Sequence, residues 1–235
     1  MKPLDFYLVE KKRISPHIGA RPSPLAQIQV EEVIGELKRV YPSALFSIQL
    51  SSIHTQGDFD QKTSLKNLNK TSFFTEEIDS ALLSGRIRLG IHSAKDLPEP
   101  LPSGIQLICL TKGLDPSDSL VLREREDLQD LPTGSRIGTS SLRRELAVLR
   151  LRPDFRISDI RGTIGERLQQ LTNGTIDGVV VAEAALIRLR LTHLNRIVLP
   201  DCHTPLQGRL AILSRENDLE MAKLFAPLDT RLIHG

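Results

Sequence analysis

The amino-acid sequence predicts an α/β fold of two lobes, each with a mixed, mostly parallel sheet, and a ligand cleft between the lobes. Segments in which apolar and polar residues alternate, as in a strand, are repeatedly followed by segments with helical periodicity. This order places helices on both faces of a sheet. The pattern fills two successive units of about a hundred residues each. We expect lobe 1 to comprise residues 1–112 and 206–235 and lobe 2 residues 113–205, with crossings near 115–116 and 200–205.

The first lobe begins with a helix whose limits are marked in the sequence. Ser23 is a predicted N-cap, Pro24 is the first helical residue, and Pro42 stops the helix. The remaining predictions for this lobe are a strand at 46–50, a polar loop at 61–71, a helix at 75–83, a strand at 87–91 and a strand at 105–110. The strand at 87–91 runs directly into the sequence HSAKD at 92–96.

The second stretch of the chain, from residue 136 onward, repeats the alternation. Ser140 and Ser141 are predicted to cap a helix that Pro153 ends, and residues 163–166 form a capping box for a helix that stops at 173–174. The other predicted elements are strands at 136–139, 156–160, 179–181 and 210–213, and helices at 183–191 and 218–225.

Composition narrows the classes of function. The formal net charge is +2, aromatic residues make up 4% and tryptophan is absent, which argues against a nucleic-acid partner. No apolar run approaches the roughly 18 residues of a membrane-spanning helix, and the N-terminus does not resemble a signal peptide. We interpret Cys109 and Cys202 as reduced thiols of a cytoplasmic protein. The histidines are scattered, so no metal site is expected.

Arginine is the unusual feature of the second lobe. Between residues 113 and 221 there are fifteen arginines and no lysine, and residues 136–167 hold eight arginines against four acids, 8 − 4 = +4. Two interpretations stay open. The arginines form a solvated basic face, or they bind a small molecule with several carboxylates or phosphates, since the guanidinium fork holds such groups bidentately.

Three polar segments, at 20–23, 92–96 and 139–144, lie where strands are expected to end. Ligands of open α/β sheets bind beyond the carboxyl ends of strands, which favours the ligand interpretation. The segment 138–144 presents a helix N-terminus to an anion, or it is simply capped by Ser140 or Ser141. Asp96, beside Lys95, suits the stabilisation of a developing cation, or else it caps a helix. Sequence motifs for nucleotide hydrolysis, hydride transfer and serine hydrolysis are missing.

Several motifs together resemble the porphobilinogen deaminase (hydroxymethylbilane synthase) family. They follow the family's order, and HSAKDLP and GTSSLRR are the most specific among them. The matching segments are RPSPLA at 21–26, FTEEI at 74–78, HSAKDLP at 92–98, DPSD at 115–118, GTSSLRR at 138–144, RGTIGERL at 161–168, NG at 173–174 and QG at 207–208.

This resemblance implies two periplasmic-binding-protein-like lobes and a transferase that polymerises porphobilinogen into hydroxymethylbilane with release of ammonia, in tetrapyrrole and heme biosynthesis. It implies a dipyrromethane cofactor, whose rings carry acetate and propionate groups. Asp96 is implied as the catalytic residue, which stabilises the azafulvenium cation formed on deamination. The implied carboxylate-binding residues are Arg21, Ser23, Lys95, Thr139, Ser140, Ser141, Arg143, Arg144, Arg161 and Arg167.

The attachment of the cofactor is where the sequence departs from the family. The family carries the attachment cysteine in a third, C-terminal domain, and the sequence resembles a truncated member without that domain. Cys109 falls in a predicted buried strand, where a thiol is inert. Cys202 falls in a predicted crossing, and its expected exposure makes it the candidate anchor. We expect that dipyrromethane is not bound covalently.

Three hypotheses follow from the sequence. The first is a transferase of the porphobilinogen deaminase type, with activity reduced by the missing cysteine. The second is a non-catalytic binding or regulatory protein for porphobilinogen or another small polyanion. The third is a transferase for phosphate-bearing ligands that uses residues 139–141 as its cradle. In the first two cases the partners are porphobilinogen and its oligomers, and we expect a monomer that binds neither nucleic acid nor membrane.

Overall fold

The structure, a computed structural model, describes residues 13–60 and 72–231. The strands are β1 (Arg13–Ile14), β2 (His17–Ala20), β3 (Leu45–Phe46), β4 (Gln49–Ser52), β5 (Leu89–Ser93), β6 (Ile105–Leu110), β7 (Ser117–Leu122), β8 (Arg136–Gly138), β9 (Arg156–Ser158), β10 (Gly178–Ala182), β11 (Arg196–His203) and β12 (Leu210–Arg215). The α-helices are α1 (Pro24–Val40), α2 (Gln56–Phe59), α3 (Glu76–Leu83), α4 (Leu142–Leu151), α5 (Ile164–Thr172), α6 (Glu183–Arg188) and α7 (Leu219–Phe225). Single 3-10 turns occur at Ser72–Phe74, Ala94–Asp96 and Ala226–Leu228.

The described residues form two compact units. Unit 1 contains residues 13–56, 72–112 and 209–231, and unit 2 contains residues 57–60 and 113–208. Residues 57–60 therefore differ from the expected division, which placed them in lobe 1. The chain also returns to unit 1 later than expected, after residue 208. Gln207 belongs to unit 2, since its side chain donates hydrogen bonds to the carbonyls of Pro116 and Ser117, at 2.6 and 3.1 Å.

Unit 1 is built on a five-stranded sheet of order β4-β2-β5-β12-β6. The pairs β4–β2 and β2–β5 are parallel, and β12 is antiparallel to both of its neighbours. Helix α1 covers this sheet with Val33, Leu37 and their neighbours, which are buried with β2, β5 and β12 in one core. Each fully buried aliphatic side chain of this kind contributes roughly 1.5–3 kcal/mol, so the helix is fixed firmly behind the strand ends.

Unit 2 has a second five-stranded sheet, of order β11-β7-β10-β8-β9. Here β7 is the reversed strand, antiparallel to β10 and β11, while β10–β8 and β8–β9 are parallel. Its core contains Ile137, Val148, Val180 and Leu120, all inaccessible to solvent. In each of the two five-stranded sheets, then, four strands run in one direction and a single internal strand is reversed. The α/β class with mixed, mostly parallel sheets is confirmed.

Most of the helix limits agree with the sequence predictions. Helix α1 begins after Ser23, whose hydroxyl accepts the Ala26 amide, and α5 begins with a capping box between Thr163 and Glu166. The strand expected at 46–50 is interrupted, since β3 and β4 are separate short strands. The polar loop expected at 61–71 lies outside the described residues.

Strands β7 and β11 of unit 2 were not predicted from the sequence, and neither was the short strand β1 of unit 1. Strand β7 carries the fully buried polar residues Asp118 and Ser119, which hide its periodicity. Strand β11 contains Pro200, and its pairing with β7 is irregular between Val198 and His203. Proline is tolerated there because β11 is an edge strand. The prediction that 200–205 is only a crossing segment was therefore wrong.

Within the described ranges, no helix has both the length and the apolar character that crossing a membrane would require.

The N-cap of the last helix supplies a test of the packing of unit 1. The Asp218 carboxylate accepts the Met221 amide at 3.2 Å and forms two hydrogen bonds of 2.8 Å with Arg88. The Arg88 hydrogen bonds hold the pKa of Asp218 below its ordinary value. The resulting stabilisation is therefore present above the ordinary carboxyl pKa and is lost as the pH falls through the lowered one.

We predict that Asp218→Ala lowers the free energy of unfolding at pH 7 by about 1–2 kcal/mol, because the cap is lost. The difference from the wild type is expected to shrink below pH 4, where the carboxyl becomes protonated. Chemical denaturation at several pH values measures both effects. Glu216→Ala, an exposed acid of the same turn, is the control. Equal effects of the two substitutions would contradict the prediction.

Candidate functional site

In unit 1 the candidate residues lie where β2 and β5 end. These strands are parallel neighbours, with Gly19 opposite Gly90, so their carboxyl ends share one edge of the sheet. Arg21 follows β2, and its guanidinium carbon lies 4.7 Å from the centre of the Phe74 ring. Lys95 and Asp96 form the half-buried 3-10 turn that follows β5. This turn carries an amine and a carboxylate on consecutive residues at the end of a buried strand.

The hydroxyl of Ser23 acts as the N-cap of helix α1. It accepts the Ala26 amide at 3.2 Å and so caps α1. The neighbouring Ser93 is also engaged, because the Gln29 side chain donates to its hydroxyl at 2.9 Å. These two contacts fix the start of α1 and the end of β5, and thereby the backbone that carries Arg21 and Lys95.

His92, named so far only as part of the HSAKDLP motif, is the fourth residue of β5 and precedes this edge by one residue. Its side chain is buried, and burial, helped by the charge of Arg21, lowers the pKa of the imidazole to about 4. The Nε2 atom has no hydrogen-bond partner within the described part of the chain. His92 is therefore neutral at physiological pH and adds no charge to the edge.

In unit 2 the segment 139–141 connects β8 to α4. Thr139 and Ser140 are buried, and the Thr139 hydroxyl accepts the Ser141 amide at 3.2 Å. The Ser140 hydroxyl hydrogen-bonds to the backbone of Ile160, in the neighbouring connection after β9. Ser141 is the N-cap residue, yet its side chain makes no capping hydrogen bond. Ser141 thus has the predicted N-cap position, but the capping hydrogen bond expected from Ser140 or Ser141 is not formed, because the Ser140 hydroxyl joins two connections instead.

The paired arginines at the start of α4 both contact one buried carboxylate. Arg143 Nη1 lies 2.6 Å from Asp118 Oδ2, and Arg144 Nη2 lies 2.6 Å from Asp118 Oδ1. The side chain of Asp118 is inaccessible to solvent, and Gln207 Nε2 donates to its Oδ1 at 3.1 Å. We call Asp118, Arg143, Arg144, Cys202 and Gln207 the Asp118 cluster.

Arg161 and Arg167, the other two candidate arginines, bind backbone carbonyls. Arg161 Nη2 donates to the carbonyls of Gly57 and Asp60 at 3.1 and 2.9 Å, and Arg167 Nε donates to Gly162 at 2.9 Å. Both side chains are half-buried. The carboxylate-binding role that the resemblance implies for all four arginines stays a prediction, whereas Arg143 and Arg144 are brought together on one carboxylate of the chain itself.

Both cysteines are buried. The Cys109 thiol lies in β6, and burial raises its pKa to about 12. Cys202 is 2% exposed, with its sulfur 3.1 Å from Arg143 Nη1, and burial is the main cause that raises its pKa as well. The expected exposure of Cys202 was wrong, because residue 202 lies in β11 and points into the Asp118 cluster rather than standing in an open crossing.

Asp118 and Gln207 were quoted as parts of family motifs but received no role from the sequence. A signal was present, since an acid preceding the apolar run Leu120–Leu122 in one strand is unusual unless a cation pairs with it. Among the described residues, no group of three histidine, cysteine or acidic side chains is arranged to hold a metal ion.

Comparison with known families gives one extended match. The family model described as porphobilinogen deaminase, dipyromethane cofactor binding domain, matches residues 17–223. The probable porphobilinogen deaminase of Chlamydia pneumoniae is 42% identical over 211 residues, 90% of this chain and 88% of the relative. The porphobilinogen deaminase of Clostridioides difficile is 40% identical over 205 residues, 86% of this chain and 67% of the relative.

Solved structures are similar in fold at low sequence identity. The extracellular-binding protein ytmK of a probable amino-acid ABC transporter from Bacillus subtilis has a TM-score of 0.53 and 14% identity, covering 94% of this chain and 93% of that one. The effector-binding domain of BenM has the same TM-score and identity, covering 95% and 93%. These similarities support the fold of two binding-protein-like lobes.

The neutral state of His92 predicts a pH dependence of stability. Because its pKa is lowered to about 4 in the folded protein, the unfolded chain binds more protons between pH 6.5 and pH 4, so stability decreases as the pH is lowered through that interval. The contribution of His92 is on the order of 3 kcal/mol between pH 7 and pH 4. We predict that this component disappears in His92→Gln and persists in His193→Gln, a control at an exposed histidine. Unfolding curves at pH 4, 5, 6 and 7 measure it, and an unchanged slope in His92→Gln would refute it.

Proposed function

The chain belongs to the porphobilinogen deaminase family, and from this premise we propose that it polymerises porphobilinogen into hydroxymethylbilane with release of ammonia, in tetrapyrrole and heme biosynthesis. The observation that carries the proposal is the family match over residues 17–223, which includes every candidate site residue. The 42% identity over 211 residues with a relative named as a probable porphobilinogen deaminase supports it.

Asp96 is the catalytic residue of this proposal. When porphobilinogen loses ammonia, the carbon–nitrogen bond breaks and a positive charge spreads over the methylene carbon and the pyrrole nitrogen. A fixed carboxylate close to that nitrogen accepts its N–H and stabilises the cation electrostatically. The position of Asp96 supports this role, since the half-buried 3-10 turn that follows β5 holds the residue beside Lys95.

The carboxylate-binding role belongs to the arginines, Lys95 and the hydroxyls of the two sheet edges. A ligand with acetate and propionate groups needs several cations, and the donor set suits that need because guanidinium groups bind carboxylates bidentately. The contacts of these side chains separate the residues that position others from those that are available to the ligand. The Ser23 and Ser140 hydroxyls are engaged with backbone groups and act through positioning. Arg143 and the turn at Lys95 are the stronger candidates for direct contact.

The dipyrromethane cofactor of the family fits this chain in one respect only. The cations and hydroxyls suit its carboxylates, and a bound dipyrromethane supplies the pyrrole chain to which further units are added. A thioether to either cysteine does not fit, because both thiols are buried and their pKa values are raised, which removes access and thiolate character together. We propose that the cations of each unit, Arg21 and Lys95 in unit 1 and Arg143 in unit 2, serve as carboxylate-binding groups for this cofactor, and that no covalent bond to Cys109 or Cys202 forms.

A second candidate is a binding or regulatory protein for porphobilinogen or a related polyanion, without turnover. The buried state of Cys109 and Cys202 favours it, since polymerisation on an unattached primer loses products more easily than on an anchored one. The two candidates share the carboxylate-binding residues and differ in turnover, so an activity measurement separates them.

We predict that Asp96→Asn lowers turnover of porphobilinogen by at least about a hundredfold, the usual effect of removing one preorganised electrostatic group. The melting temperature should change little, because the Asp96 carboxylate forms no hydrogen bond or ion pair with the described residues. Colorimetric detection of porphyrin formed from the product measures turnover, and Asp130→Asn, at an exposed position, is the matched control. A nearly normal rate in Asp96→Asn would remove the residue from the mechanism. A wild-type chain that binds porphobilinogen without turnover would establish the second candidate.

We also predict that the purified chain has the mass of its bare sequence, before and after incubation with porphobilinogen under denaturing analysis. Intact-mass spectra of the wild type, Cys202→Ser and Cys109→Ser measure this. An adduct that vanishes in Cys202→Ser would make Cys202 the anchor and overturn the prediction. An adduct that vanishes only in Cys109→Ser would do the same for the β6 thiol, and one that survives both substitutions would point to another nucleophile.

A further inference from the structure

The Asp118 cluster lies at the edge of the unit 2 sheet where the strand β10 has its carboxyl end. Asp118 is the second residue of β7, and its register partner is Ala182, the last residue of β10. Because β7 is reversed, its beginning lies beside the carboxyl end of β10. A fully buried carboxylate is thus placed at the end of a parallel strand, next to the first turn of α4.

The two arginines that pair with Asp118 differ in how fully they are engaged. The side chain of Arg144 is 11% exposed, its Nη2 pairs with Asp118 and its Nη1 donates to the Val180 carbonyl at 3.4 Å. The side chain of Arg143 is 31% exposed, and Nη1 is the atom that contacts both Asp118 and Cys202. Among the described residues, the Nε and Nη2 groups of Arg143 donate no hydrogen bond. One edge of this guanidinium is held and the other is open.

The charges within the Asp118 cluster also do not balance. Two guanidinium groups meet a single carboxylate, so the ion pairs leave a net positive charge at the cluster. A buried carboxylate is tolerated only while it is paired, so Asp118 must keep its partners. A long arginine side chain loses rotamer freedom when it binds a ligand, and fixing it beforehand removes that loss from the binding step.

We propose that Asp118 is a positioning residue, which fixes the Arg143 guanidinium, with Arg144 as a brace, so that the open edge of Arg143 binds a carboxylate of the ligand. The inference rests on the proposed function for the identity of that ligand, a pyrrole with acetate and propionate groups. Asp118 itself does not contact the ligand, and its effect passes through Arg143.

A matched control exists in the same unit. Glu183 is also a buried acid, whose carboxylate accepts the Ser119 hydroxyl at 2.5 Å and pairs with Arg196 at 2.7 Å. Glu183 lies outside the Asp118 cluster and the candidate site. Glu183→Gln therefore breaks a buried ion pair of similar geometry without disturbing Arg143.

The experiment compares Asp118→Asn with Glu183→Gln. The measurements are the melting temperature, the KM and kcat for porphobilinogen, and the Kd of a synthetic dipyrromethane with acetate and propionate side chains, by calorimetry. Both substitutions should lower the melting temperature. Asp118→Asn alone should raise KM and Kd by at least about tenfold, with a smaller change in kcat, as expected for a lost charged contact.

A double-substitution cycle tests whether the effect passes through Arg143. In an Arg143→Gln background, Asp118→Asn should change Kd less than about twofold, because the group that it positions is already gone. A tenfold change in that background, or equal changes of Kd in Asp118→Asn and Glu183→Gln, would overturn the proposal.

A measurement on the wild-type protein tests directly whether the Arg143 guanidinium is fixed, and it does not depend on the folding of any variant. In the ligand-free protein, nitrogen-edited NMR of arginine side chains should resolve separate Nη signals for Arg143, since rotation of a held guanidinium is slow, and averaged signals for Arg125, which is 90% exposed. Averaged Arg143 signals would refute the positioning even if Asp118→Asn fails to fold. If the signals are separate but neither porphobilinogen nor the dipyrromethane binds, the proposed function fails and the ligand assigned to Arg143 is wrong with it.

Discussion

The reversed strand inside each sheet is the constraint from which the candidate site follows. In both units the chain enters after a crossing and immediately forms a strand, β7 or β12, that is antiparallel to its two neighbours. The first residues of that strand therefore lie beside the carboxyl end of a parallel strand. In unit 2 this brings Asp118 opposite Ala182, and in unit 1 it brings Leu210 opposite Ser93. The site residues thus lie between the end of a parallel strand and the beginning of the reversed strand. These two segments are neighbours in the sheet although they are distant in the sequence.

The arginines of this chain have two kinds of role, and only their contacts distinguish one from the other. Arg152 donates to the carbonyls of Leu128 and Leu131, and Arg196 pairs with Glu183, so these side chains stabilise the unit 2 fold. Arg143 keeps one edge of its guanidinium open. The local excess of positive charge between residues 136 and 167 is thus partly structural, and the share available to a ligand is smaller than the sequence count indicates.

The sequence predicted local features well and distant ones poorly. The caps of α1 and α5, the end of α1 before Pro42 and the strand at 105–110 depend on neighbouring residues, and those predictions are confirmed. Strand β7 was missed because its buried acid is stabilised by arginines about 25 residues away. The burial of Cys202 was missed for a related reason, since proline and a polar neighbourhood indicated a loop where tertiary pairing makes an edge strand. Family resemblance identified the motif that contains Asp118, but only the contacts show what that residue holds.

The late return of the chain to unit 1 has a consequence for the order in which the two units are completed during synthesis. Unit 2 is complete once residue 208 has been synthesised, whereas the sheet of unit 1 still lacks β12, the strand that joins β5 to β6. Until residues 210–215 leave the ribosome, β6 has no partner in that sheet, and the apolar edge of β5 is open. Because domains fold as units during synthesis, the inserted unit folds first and the earlier-made unit waits for its last strand. A nascent chain halted near residue 208 therefore exposes two unpaired strand edges to chaperones.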